Sequence, residues 1–149
     1  HMPIIAAGIA CEMSAYGINP QWPETGYCPV SYFKAPKAHL GSDDATATYE
    51  GITSKFTNAD VVKMFNEEPE LFLPQYGGYC AYAISLGKLV TVDPDVYVVL
   101  DEKLFLFSNE EARTAFEDKE PGIVAVADEQ WKTMESERAQ KKGCFSCFP

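Results

Sequence analysis

Apolar and polar residues alternate from Thr46 to Phe56, and Glu50-Gly51 falls where a tight turn would fold the run into two arms of a hairpin. Asn58 then offers a helix N-cap, Val61, Val62 and Phe65 form an apolar stripe behind it, and Pro69 ends the helix. The pattern recurs in kind further on. Val96 to Leu100 and Lys103 to Phe107 are short β-rich runs around Asp101-Glu102 and predict a second hairpin. Ser108-Asn109-Glu110-Glu111 reads as a capping box that opens a helix with Ala112, Ala115 and Phe116 on its inner side. Pro121 starts a last helix whose stripe is Ile123, Ala127, Trp131 and Met134, and the charged stretch from Glu135 to Lys142 projects into solvent. The fold class that follows is α+β, with a small antiparallel sheet built from two β-hairpins and flanking helices.

Between the two hairpin units lies the densest local pattern of the chain, Pro74-Gln75-Tyr76-Gly77-Gly78-Tyr79-Cys80-Ala81-Tyr82-Ala83-Ile84-Ser85-Leu86-Gly87-Lys88. Adjacent glycines allow backbone geometries and close approaches that a Cβ forbids. Tyr79, Tyr82, Ala83 and Leu86, with Cys80 and Ile84, recur at helical spacing and predict a short helix from Gly78 to Gly87. Tyr76, Tyr79 and Tyr82 then belong to the core, with hydroxyls at its rim. Cys80 has no histidine or second cysteine at ligand spacing beside it, so a small buried hydrophobe is the plainest reading of the residue.

Upstream, residues 1–25 read as an irregular arm that carries Cys11-Glu12-Met13, a weak soft-metal pair. Gly26 to Phe33 is dense in apolar residues, and Pro29 confines it to a buried loop or short edge segment. His39 sits in a polar, Gly/Ser/Asp-rich passage that suits solvent better than catalysis. The domain proper is 26–134, and 135–149 is a charged helix end followed by a tail with Cys144 and Cys147. That Cys-x-x-Cys spacing allows a metal clip, a redox pair or an acylation site. It is not a prenylation signal, because the fourth residue from the end is Ser146.

At 149 residues, 46% of them hydrophobic, the chain is one domain with material for a core. A net charge of −10 repels phosphate backbones and excludes nucleic acid as a partner. No apolar run reaches the roughly 18 residues of a transmembrane helix. His1-Met2 has the form of a cloning remnant, so a secreted or periplasmic location is expected if a signal peptide was removed, and a cytoplasmic one otherwise. Five cysteines without small-scaffold spacing argue against a disulfide framework.

Gly26-Tyr27-Cys28-Pro29-Val30-Ser31-Tyr32-Phe33, Tyr49-x-Gly51, Pro69-Glu70-x-Phe72, Pro74 to Ala83, Asp93-Pro94 and Ala127-Asp128-x-x-Trp131 together resemble the YHS-domain family in its longer, single-domain form, over roughly residues 26 to 131. The resemblance implies a small α+β domain and a link to heavy metals, since shorter relatives are attached to metal-transporting ATPases. Two departures matter. The short forms carry cysteines where this chain has Ser31 and Thr57, and the long form commonly has Asp where this chain has Cys28. The sharper functional expectation is a soft-metal module, copper or zinc, with Cys28 and Cys80 as thiolate ligands and Cys11, Met13 or His39 completing the set. It requires the segments around the two cysteines to share one core. The other expectation is a metal-free protein-interaction or structural domain with core cysteines. An enzyme is disfavoured, because no histidine-supported nucleophile or phosphate cradle is legible.

Overall fold

Each predicted hairpin closes through a two-residue turn whose central residues both have positive φ, Glu50 and Gly51 at 51° and 84°, Asp101 and Glu102 at 52° and 63°. That geometry carries the right-handed twist from one strand into the next. The computed structural model, which describes residues 18–141, thus pairs β1 (Ser42–Tyr49) with β2 (Ile52–Phe56) and β3 (Asp93–Leu100) with β4 (Lys103–Phe107), both antiparallel. Ahead of β1 lie two short helices, α1 (Gln21–Glu24) and α2 (Ser31–Lys34). α3 (Ala59–Glu67) and α4 (Pro69–Phe72) follow β2, a 3-10 turn (Gln75–Gly78) leads into α5 (Ala81–Ser85), and α6 (Glu110–Lys119) and α7 (Gly122–Lys141) follow β4.

The two hairpins are copies in register. Ser42↔Phe56, Thr46↔Lys55 and Tyr49↔Ile52 become Asp93↔Phe107, Tyr97↔Leu106 and Leu100↔Lys103, a constant displacement of 51 residues (42 to 93), with the same bulge near the start of each first strand. The helix caps obey the same displacement. Asn58 and Asn109 are both extended at φ −162°, and their side chains accept from the amides of Val61 and Ala112 at 3.0 and 2.8 Å. The second cap corrects the capping-box expectation by one residue, since Asn109 rather than Ser108 ends the strand in the extended geometry that a cap needs.

The α+β class holds as expected, with the two hairpins standing as two separate two-stranded antiparallel sheets. The next bridge on β4 is made by Pro74 to Leu104. Proline has no amide proton with which to extend a ladder, and the chain turns at once into the 3-10 segment. β4 is buried on both faces regardless. Phe105 and Phe107 pack with Tyr76, Tyr79, Cys80, Ile84, Phe116, Ile123 and Ala127, while Leu104 and Leu106 pack with Trp22, Tyr32 and Ala38. A third cluster belongs to the first unit and holds Cys28, Val30, Ala45, Phe56, Phe65 and Phe72. No helix among the described residues is long and apolar enough to cross a membrane.

Candidate functional site

Cys28 and Cys80 are both free thiols with essentially no exposure. They lie in different clusters. Cys28 sits among Val30, Ala45, Phe56, Phe65 and Phe72, and Cys80 among Tyr76, Tyr79, Ile84, Phe105 and Phe116. The repeat explains the separation, because each cysteine follows a Gly-Tyr step whose glycine has positive φ, 77° at Gly26 and 85° at Gly78. Each also donates its amide across its own unit, Cys28 to the His39 carbonyl and Cys80 to the Val90 carbonyl, both at 2.9 Å. Two such stretches place their cysteines in separate hydrophobic clusters.

His39 takes part in this scaffold through its backbone, its amide donating to the Ser31 hydroxyl oxygen at 3.0 Å, while its ring reaches only the Leu40 carbonyl at 3.2 Å. No group of three or more His, Cys, Asp or Glu side chains able to hold a metal exists among the described residues. Neither thiol therefore belongs to a group of three such side chains among the described residues. Cys11, Met13, Cys144 and Cys147 lie outside the described residues.

The glycine motif is a clamped junction. Tyr76 and Tyr79 are buried, and Tyr82 is half-buried with the Lys119 ammonium over its ring at 5.5 Å. The Tyr76 hydroxyl donates to Asp128 at 2.8 Å, and burial first, then that carboxylate, pushes its ionisation far up. Gly77 and Gly78 hold positive φ and close the 3-10 turn, so the helix expected from Gly78 to Gly87 shortens to α5. A Cβ on Gly78 would stand 3.1 Å from the Trp22 side chain. Asn19, buried, seals the contact: its amide donates to the Gly77 carbonyl at 2.8 Å and its side-chain nitrogen to the Gly78 carbonyl at 2.9 Å. The residue pattern of 1–25 predicts only an irregular arm for Asn19 and Trp22. A buried amide and indole on a Pro-flanked stretch were the signals available.

The clamp opens on one side into a cleft of about 250 Å³ lined by Ile18, Trp22, Tyr49, Glu50, Ile52, Leu73, Pro74, Gly77, Trp131 and Glu135. Four separate stretches build it: the arm, the turn of the first hairpin, the glycine motif and α7. Trp22 forms the floor, 3% exposed. Trp131 is a wall, held by Tyr76 and Tyr79 with ring centroids 6.3 and 6.2 Å away. Glu135 is half-buried one turn along α7, and burial raises its carboxyl above the usual carboxylate range. Tyr49 also borders a second, open cleft rich in carboxylates, where Glu67, Glu68, Glu70, Asp101 and Glu102 face a single Lys103. Its hydroxyl donates to Glu70 at 3.0 Å.

Compared with family models, with curated proteins and with solved structures, the chain matches none of them.

Proposed function

We propose that this domain is a metal-free binding module that recognises its partner or ligand at the aromatic cleft, with Cys28 and Cys80 serving as core residues of the two repeated units. The observation that carries the reading is the assembly of the cleft from four separate chain stretches, with both tryptophans of the sequence in its lining. Concave sites walled by aromatic side chains with a few polar groups at the edge are where small proteins bind ligands. The YHS resemblance favours a soft-metal module instead. Two thiols enclosed in separate hydrocarbon clusters supply neither shared coordination nor an entry path for an ion.

Metal analysis of protein prepared without a histidine tag tests the choice, combined with mass-spectrometric mapping of thiol labelling. The expected result is a metal content unchanged by Cys28→Ser and Cys80→Ser, and no labelling of either thiol before unfolding. One soft metal ion per chain that either substitution removes would overturn the reading.

A further inference from the structure

We infer that the cleft between the first hairpin and α7 binds a small organic cation of the alkylammonium class, its charge met by aromatic faces and by Glu50 and Glu135. The inference rests on the reading of the cleft as the recognition site and names the ligand it takes.

Three observations converge. The lining carries three aromatic side chains, Trp22 at the floor and Tyr49 and Trp131 beside it, and aromatic rings attract cations that lie over them within about 6 Å of their centroids. The ionisable lining is acidic throughout: Glu50 and Glu135 are present, lysine and arginine are absent from it, and neither carboxylate is in an ion pair among the described residues. The neighbouring carboxylate-rich cleft across Tyr49 adds a negative field that concentrates cations at the mouth.

Size and ligand count narrow the class. A volume of about 250 Å³ lies under the roughly 300–1,000 Å³ of sites for drug-sized molecules, and suits a headgroup-sized ligand. A bare metal ion would need several convergent oxygen, nitrogen or sulfur donors. The described residues place no three His, Cys, Asp or Glu side chains in such a group. An alkylammonium ion needs no such shell, since its methyl groups contact the rings while its charge is balanced at longer range.

Trp22 and Trp131 are the two tryptophans of the chain, so intrinsic fluorescence reports on this cleft alone. Choline is titrated against the full chain, beside dimethylbutanol, its uncharged carbon isostere, and sodium chloride at matched ionic strength. The expected result is a saturable change in tryptophan emission with a dissociation constant of about 1 mM for choline, and binding of the isostere at least about tenfold weaker. Glu135→Gln, a solvent-edge change that keeps the helix, weakens choline about tenfold and leaves the isostere unchanged. Equal binding of choline and the isostere would overturn the cation assignment while leaving the cleft a ligand site. A response reproduced by sodium chloride would overturn the inference as a salt effect. Silence of the tryptophans toward choline and the isostere alike would overturn the inference, while the reading beneath it is decided separately by the metal and thiol-labelling measurements.

Discussion

The amide of Cys28 donates to the carbonyl of His39 at 2.9 Å and the amide of Cys80 donates to the carbonyl of Val90 at the same distance, so the two cysteines hold one position in two successive units. Each thiol fills its own cluster. Cys28→Ser and Cys80→Ser therefore each lose stability by about 1–3 kcal/mol, the cost of a buried hydroxyl without an adequate partner. The double variant loses the sum to within about 0.5 kcal/mol, as independent sites do. Urea unfolding of the four proteins checks this, and a coupling well beyond that margin would mean the thiols interact.

The caps give a second view of the repeat. Asn58→Ala and Asn109→Ala remove the same bond from the same backbone geometry at the first turns of α3 and α6. Each costs about 1 kcal/mol, and the two costs are alike. Denaturation midpoints at constant slope measure them, and replacement by Asp or Ser restores most of the loss.

Glycines separate by what surrounds them. A Cβ at Gly41 would overlap the backbone of Lys55 and Phe56, where β2 passes, and no rotamer change relieves that. Gly41→Ala costs about 3 kcal/mol or more. Gly78→Ala meets the Trp22 side chain at 3.1 Å in the left-handed backbone region at φ +85°, and costs about 1–2 kcal/mol with a shift in tryptophan emission. Gly122→Ala, with nothing within 4 Å, stays within about 0.5 kcal/mol. Thermal melts that reverse this order would contradict the packing at the motif.

Alkaline pH unfolds the protein through its tyrosines. The hydrogen bond to Asp95, then burial, pushes the Tyr27 hydroxyl from its ordinary 10 up to about 12, and burial raises Tyr32 and Tyr76 further. The folded chain thus holds protons that the unfolded chain releases. The stabilisation is complete below pH 10 and is lost as pH rises through about 12. Urea midpoints should fall across that interval, while phenolate absorbance shows a group of tyrosines ionising late. Tyr27→Phe, which cannot ionise, falls less steeply. A midpoint flat to pH 12 would contradict these hydrogen bonds.

Local features were legible along the chain. Glu50-Gly51 and Asp101-Glu102 set both hairpins, Asn58 set a cap, and the Tyr-Gly-Gly-Tyr step marked a packed junction with permissive glycines, because each depends on dihedral preferences and hydrogen bonds within a few residues. Which segments meet is settled by packing in three dimensions. Gly26 to Phe33 and Gly78 to Ser85 are both rich in small and aromatic residues, and that likeness suggested a shared core. In the fold it reflects repetition: each cysteine joins a cluster of its own, Cys28 with Phe56 and Cys80 with Phe105, while Tyr27 and Tyr32 of the first stretch reach Asp95, Pro94 and Tyr97 of the second hairpin. The docking of Asn19 and Trp22 on Gly77 and Gly78 is likewise a non-local event, made by hydrogen bonds and packing across 59 positions of chain. The cleft that results takes its walls from residues as far apart as Trp22 and Trp131, and no pattern along the chain records a distance in space.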